Sequence, residues 1–230
     1  MKKLIILDLD NTFYDYEDAH QKGIQAVFSN QNVFKNYDLF YSNYESSKNT
    51  VQKLNQDNPS KHSKLIYLKN LFFDKLEIFE IINLENIYWS SFISNAKLQT
   101  KAISLLRDNK EINDKFVLLT NQNLYVQLRK INEWNLNFFD YVVTSEEVGF
   151  EKPNPKFFNY VKSNVLNFHN TDYVTYAIGD DFKNDILFWV KNFGATGYLI
   201  DNTSIESTSD ESENVYSLNK AVTEIYNNKH

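Results

Sequence analysis

The sequence predicts an α/β protein, a parallel sheet with helices on both faces into which an all-helical cap is inserted. Three features of the chain predict it. Leu4 to Leu9 is a short run apolar on both faces, the pattern of a strand buried in a parallel sheet. Beyond Ala96, short apolar runs alternate with stretches of helical spacing. Between these regions, from about Asp18 to Ser94, aromatic and aliphatic residues recur at spacings of three and four without a convincing strand.

Taken in order, the first strand runs into the polar cluster Asp8-Leu9-Asp10-Asn11-Thr12. The helical block that follows is punctuated by Asn58-Pro59-Ser60, after which a helix restarts through Leu65, Leu68, Leu71 and Phe72. This block is too long for one crossover, so a separate cap is expected. Alternation then resumes: a helix near Leu98 to Asp108, a strand Phe116 to Thr120, a helix Leu124 to Trp134 and a strand Tyr141 to Val143. A helix from Pro155 to Val165, a strand Val174 to Ile178, a helix Asn184 to Asn192 and a strand Thr196 to Ile200 complete the series. Thr203 to Asn214 is polar, acidic and Ser-rich and reads as an exposed loop, before a last helix from Ser217 to Tyr226. The expected organisation is a Rossmann-like catalytic core of residues 1–15 and 96–230 with a helical cap of residues 16–95.

Composition narrows the functional classes. The 230 residues are 42% hydrophobic and 16% aromatic, enough to build a packed core. A net charge of -6 with no basic stripe argues against a nucleic-acid partner. Absence of cysteine excludes disulfides, thiolate metal sites and cysteine nucleophiles, and fits a reducing compartment. The apolar run after Lys2-Lys3 is too short for a signal peptide, and no stretch approaches the roughly 20 apolar residues of a membrane span. A cytoplasmic protein without a membrane partner is expected.

Ligands of parallel sheets bind outside the carboxyl ends of the strands. The residues predicted there are Asp8 and Asp10 after the first strand, Thr120 and Asn121 after the second, and Gly179, Asp180 and Asp181 after the fourth, with Lys152 in the loop before the helix at Pro155. Carboxylates gathered in this way repel one another unless a cation joins them, and oxygen-only ligands favour magnesium. The chemistry that suits the set is phosphoryl transfer. Asp8 would attack the phosphoryl group as nucleophile. Asp10, two residues on, would give a proton to the leaving alcohol and then take one from water. Thr120, Asn121 and Lys152 would hold the substrate, the hydroxyl and ammonium steadying the transferred oxygens.

Four segments resemble the motifs of the haloacid dehalogenase-like hydrolases. They are Asp8-Leu9-Asp10-Asn11-Thr12, Leu118-Leu119-Thr120-Asn121, Val148 to Pro155 with Lys152 as the functional residue, and Ile178-Gly179-Asp180-Asp181-Phe182-Lys183-Asn184-Asp185. The resemblance covers about Lys3 to Asp201 in the order of that superfamily; the cap is similar only in position and helicity. It implies that Asp8 is nucleophile and magnesium ligand. Asp10 would be general acid/base and bind Mg2+ through its backbone carbonyl, Asp180 would be the third protein ligand, and Asp185 would orient Lys152 or metal-bound water. Asp181 stands where relatives often have Ser. Dehalogenases of the superfamily lack a carboxylate at the position of Asp10, so its presence here implies a phosphatase. A cap in this position typically closes over small phosphorylated metabolites.

The opening Asp-Leu-Asp-Asn-Thr-Phe-Tyr resembles members acting on nucleoside monophosphates, with sugar phosphates and phosphoglycolate close behind. The resemblance is also compatible with a phosphomutase, and with a binding protein of the same fold that has no turnover. A monomer or weak homodimer is expected. Each residue alone has a plainer explanation: Asp8 and Asp10 as turn formers, Thr120 as a helix cap, Lys152 as a solvated lysine, Asp180 and Asp185 as partners of a helix dipole. Phe13, Tyr14 and Tyr16 either line a substrate entrance or pack in the core. Phe34, Tyr37, Phe40, Tyr41 and Tyr44 are expected to be core, and His20, His62, His169 and His230 show no metal spacing.

Overall fold

The computed structural model describes residues 1–56, 58–166, 173–201 and 215–227. The chain divides into two compact units, Met1–Asp15 with Leu98–His230, and Tyr16–Lys97. The return into the first unit thus falls two residues later than the sequence suggests.

The first unit is built on β1 (Lys2–Leu7), β2 (Lys115–Thr120), β3 (Tyr141–Thr144), β4 (Tyr173–Gly179), β5 (Thr196–Ile200) and β6 (Val215–Tyr216), all parallel, in the order β3-β2-β1-β4-β5-β6. Both faces of the central strands are buried. Leu4, Ile6, Val117, Leu119 and Ala177 pack with Phe157, Phe158 and Trp189 on one side, while Ile5, Leu7, Phe116 and Leu118 are equally inaccessible. That burial explains why these strands read as continuous apolar runs instead of alternating ones. β1 stops at Leu7, two residues short of its expected end, so Asp8 opens the loop. The short β6 and a one-turn helix at Ser145–Val148 have no signal in the apolar pattern. The expected loop at Thr203 to Asn214 lies outside the described residues, as do His169 and His230.

The connections determine where a ligand can bind. From β1 the chain moves to β2 and β3 on one side, then crosses back to β4 on the other side of β1. The carboxyl ends of β1 and β4 therefore flank a topological switch point, the crevice that open α/β sheets use for ligands. Register brings Leu7 opposite Leu118 and Ile178, so the residues that follow all three strands emerge side by side.

The second unit contains α1 (Tyr16–Asn30), α2 (Tyr37–Leu54), α3 (Lys64–Leu71) and α4 (Ile78–Asn95). Helices α1 and α4 approach closely at Gly23, where an added Cβ would lie 2.7 Å from the Tyr88 ring. Of the cap aromatics expected to be core, Phe40 and Tyr44 are buried, while Phe34, packed edge-on against Phe40 and Phe72, Tyr37 and Tyr41 are half-buried at its margin. His20 is buried between the rings of Tyr16, Tyr44 and Tyr88, with Nδ1 2.6 Å from the Tyr88 hydroxyl. Among the described residues, no helix is long and apolar enough to cross a membrane.

Burial, helped by Lys64 and Lys48, pushes His20 down to about 3. An unfolded histidine takes up its proton near pH 6.5. The neutral ring therefore contributes stability above that pH, which is lost as pH falls toward about 3. The expected cost is about 2 kcal/mol between pH 7 and 5. Chemical denaturation of wild type and His20→Phe across that range checks this, the variant showing a shallower fall.

Candidate active site

All the site residues expected from the sequence lie in the first unit, and most converge beyond β1, β2 and β4. The Asp8 amide donates to Ile178 O at 2.9 Å, carrying the β1–β4 pairing one residue past the strand. The chain then turns sharply: Phe13 N donates to Leu9 O at 3.0 Å, and Asn11 takes a left-handed φ of 60° that asparagine tolerates. From there the Asn11 side-chain amide donates to Asp180 Oδ2 at 2.9 Å, tying the loop after β1 to the loop after β4.

Lys152 is the centre of the arrangement. Its buried ammonium donates to Asp8 Oδ1 at 2.8 Å, to Asp185 Oδ1 at 2.7 Å and to the Leu119 carbonyl at 2.7 Å, which uses all three of its hydrogens. Asn121 fixes the main chain at that point: its Nδ2 donates to Lys152 O at 2.9 Å, and its Oδ1 accepts from Lys152 N at 2.7 Å. The expectation that Asn121 holds substrate is corrected to that extent, since its amide oxygen and one amide hydrogen are committed to Lys152. A phosphate oxygen can reach the Lys152 ammonium only by displacing one of its present acceptors.

The loop bearing Lys152 is set by local chemistry. The one-turn α7 (Ser145–Val148; α5, Thr100–Asn109, and α6, Leu124–Glu133, precede it) starts in a capping box between Thr144 and Glu147 and ends at Gly149, whose φ of 76° favours glycine. Helix α8 (Pro155–Tyr160) restarts on Asn154, whose side chain accepts from Lys156 N at 2.9 Å. A helical turn over 161–165 follows, and beyond β4 another at Phe182–Ile186 leads into α9 (Leu187–Phe193). The last helix, α10 (Leu218–Asn227), packs with α5.

Asp181 and Asp185 have separate structural duties. The Asp181 carboxylate accepts from Lys183 N at 2.9 Å and Asn184 N at 3.0 Å, capping the turn after β4. Asp185 carries Lys152 on Oδ1 and the Asp181 amide on Oδ2 at 3.1 Å. Gly179 makes room for it, because any Cβ there would overlap the Asp185 side chain.

Asp10 points elsewhere, into a pocket that sequence reasoning missed. Lys130 Nζ and the Tyr14 hydroxyl both donate to its Oδ1, and Gln127 Nε2 donates to Oδ2 at 2.9 Å. The same Gln127 nitrogen donates to Thr120 Oγ1 at 2.7 Å. Phe13 and Tyr14 are fully buried, Phe13 against Phe139, so of the two readings left open for them the structure gives core packing.

Electrostatics separates the carboxylates. Burial holds the Asp8 carboxyl well above the usual range; Lys152 opposes this, and repulsion from Asp185, Asp10 and Asp180 reinforces it. Asp180 is also raised, chiefly by burial, with the Asn11 hydrogen bond acting against the shift. Burial pushes Asp10 in the same direction, but the Lys130 charge and the hydrogen bonds from Lys130, Tyr14 and Gln127 outweigh it and hold Asp10 below its ordinary value. For Lys152, burial acts against the charge, yet Asp185 and Asp8 more than compensate and keep it an ammonium.

One carboxylate oxygen from each of Asp8, Asp180 and Asp185 lies within 4.8 Å of the others. The donors are all oxygen, and beside the burial that chiefly raises Asp8 and Asp180, repulsion from neighbouring carboxylates adds to both shifts. Among the described residues, four carboxylates, Asp8, Asp10, Asp180 and Asp185, face two buried ammonium groups, Lys130 and Lys152, leaving two negative charges over. This set fits a hard divalent cation such as magnesium.

A family model described as hydrolase, haloacid dehalogenase-like hydrolase, matches residues 2–188. The chain belongs to the haloacid dehalogenase-like hydrolases. Among curated members, the ribulose-1,5-bisphosphate 5-phosphatase of Halopiger xanaduensis is 27% identical over 231 aligned positions, 97% of this chain and 92% of its own. Two solved haloacid dehalogenase-like structures share the fold. The magnesium-bound HAD-hydrolase YfnB of Bacillus subtilis has a TM-score of 0.61 at 20% identity, covering 89% of this chain and 91% of its own. The HAD phosphatase of Thermococcus onnurineus has a TM-score of 0.62 at 19% identity, covering 99% and 98%.

If this haloacid dehalogenase-like site takes a divalent cation, magnesium should raise the melting temperature with the logarithm of its concentration. Gly179→Ala, by displacing Asp185, and Asp180→Asn, by removing a donor, are each expected to melt with a smaller magnesium response. A Gly179→Ala protein that melts and responds as wild type does would contradict the close-packing argument.

Proposed function

We propose that the chain is a magnesium-dependent phosphomonoester hydrolase that works through an aspartyl-phosphate at Asp8. The observation that carries this reading is the buried Lys152 ammonium on Asp8 Oδ1 at 2.8 Å, beside a second carboxylate two residues along the same loop. The likeness over nearly the full length to a curated phosphatase supports it.

A bound divalent cation supplies charge neutralisation, which lets an anionic carboxylate approach an anionic phosphate. The remaining work falls to the chain's own residues. Lys152 orients the Asp8 carboxylate, whose free oxygen attacks phosphorus as the bond to the alcohol oxygen breaks. Asp10, which Lys130 holds ionised, takes up a proton from solvent, which its partly exposed side chain reaches, and gives that proton to the departing oxygen. The Asp10 carboxylate then takes a proton from the water that attacks phosphorus, releasing inorganic phosphate and restoring Asp8. Thr120, at the end of β2, offers its hydroxyl hydrogen to a phosphoryl oxygen while its Oγ1 accepts from Gln127. An acid at position 10 has a use only where an alkoxide must leave, which favours phosphate-ester cleavage over dehalogenation.

For the substrate we propose a small phosphorylated sugar. Its support is the activity of the Halopiger relative, which acts on a sugar bisphosphate. A nucleoside monophosphate would call on Phe13, Tyr14 or Tyr16 after the first motif to stack on its base. Phe13 and Tyr14 are buried in the core, with the Tyr14 hydroxyl donating to Asp10, so of the three only the half-buried Tyr16 is left for that role.

Phosphate release from a panel of sugar phosphates, nucleoside monophosphates, phosphoglycolate and p-nitrophenyl phosphate tests the reading, with magnesium or with chelator. The expected result is turnover that chelator abolishes, fastest on a sugar phosphate, and reduced at least about 10³-fold in Asp8→Asn. No release from any member of the panel would overturn the proposed activity.

A further inference from the structure

We propose that Lys130 is a positioning residue for Asp10, fixing together with Tyr14 and Gln127 the orientation from which Asp10 serves the leaving alcohol. This inference rests on the phosphatase reading and adds to it a residue outside the four sequence motifs.

The geometry that carries it is unusual for a helix interior. Gln127 and Lys130 lie three residues apart on α6 and so share one face. That face is turned inward, and both residues are completely buried, while Tyr125 and Leu128 on the same helix are exposed. A hydrophobic helix face packed against a sheet would have the reverse pattern. An ammonium without solvent carries a large desolvation cost unless it is paired. Here Lys130 meets Asp10 Oδ1 directly and lies 3.1 Å from the Tyr14 hydroxyl, which donates to the same oxygen. Asp10 itself keeps 21% of its side chain exposed, so it reaches solvent and the lysine does not.

Gln127 completes the cradle. One amide nitrogen spans Asp10 Oδ2 and Thr120 Oγ1, holding the proposed acid and the proposed phosphate-side hydroxyl at a fixed separation. Its own carbonyl oxygen is left buried with no hydrogen-bond partner among the described residues. A glutamine placed only for packing would satisfy both ends; this one gives up its acceptor to present its donors to two site residues. The helix that carries the pair is anchored beside the site as well, since Glu146 accepts from Asn123 Nδ2 at 2.9 Å and from Leu124 N at 2.8 Å at its start.

The consequence is selective. Proton delivery matters for an alkyl phosphate, whose alkoxide leaves poorly, and little for p-nitrophenyl phosphate, whose phenolate leaves readily. Losing the lysine should therefore slow transfer of the phosphoryl group to Asp8 more for one substrate class than for the other, while the water step, which Asp10 also serves, slows alike for both.

The test measures kcat and KM on the fastest alkyl phosphate of the panel and on p-nitrophenyl phosphate, for wild type, Lys130→Met, Lys130→Arg, Asp10→Asn and the Lys130→Met/Asp10→Asn double variant. Lys130→Met should lower kcat/KM, which reports transfer to Asp8, about 10- to 100-fold on the alkyl phosphate and about threefold or less on the aryl phosphate. Lys130→Arg should recover part of the loss, and the double variant should be no slower than Asp10→Asn. Equal loss of kcat/KM on both substrates, tracking a fall in melting temperature, would make Lys130 merely structural and overturn the inference while leaving the phosphatase reading intact. A wild type inactive on both substrates would overturn both.

Discussion

The Lys152 ammonium, buried and donating to Asp8, Asp185 and the Leu119 carbonyl, is the interaction on which the arrangement at the sheet edge depends. A charge so placed is tolerable only with its acceptors present, and each acceptor comes from a different part of the chain. Asp8 follows β1, Leu119 belongs to β2, and Asp185 follows β4. Three strands distant in sequence are thus held in register at their carboxyl ends by one cation. Asn121, clamping the Lys152 main chain, and Gly179, leaving room for Asp185, both serve the placement of that cation.

A second cation divides the carboxylates by role. Lys130 lowers Asp10 while burial raises Asp8, so two acids two residues apart are pushed in opposite directions. A divalent cation would bring Asp8 back toward the carboxylate that attack requires, while Asp10, held ionised, suits the later removal of a proton from water. The deficit left at Asp8 and Asp180 is the one a divalent cation would relieve, whereas Asp10 is satisfied by the protein itself. The site therefore has a metal side, facing β4, and a proton-transfer side, facing α6.

Most of this is legible in the sequence because its signals are local. Asp8 interrupts an apolar strand, and Gly179-Asp180-Asp181 ends another, so buried strands and the polar residues at their ends can be read together. The expected strand end errs at Leu9, because the chain turns after Asp8 and Leu9 is buried in the turn instead of the strand. Lys130 and Gln127 are illegible for a stronger reason. Periodicity would turn Leu124, Leu128 and Ile131 of α6 inward, and the structure instead buries the polar face. Only the position of Asp10 against that helix reveals why, and that position is a tertiary fact. Asn121 is found by its place at a strand end, but its clamp on the distant Lys152 main chain leaves no mark in sequence.

The central claim is that Asp8 receives the phosphoryl group. Rapid acid quench of the enzyme during magnesium-dependent turnover, followed by borohydride reduction and peptide mass spectrometry, reads it directly, since reduction of an aspartyl phosphate leaves homoserine. The account predicts homoserine at position 8 in the wild type and none when magnesium is withheld. Homoserine at another aspartate, or steady turnover with position 8 unmodified at every quench time, would contradict it.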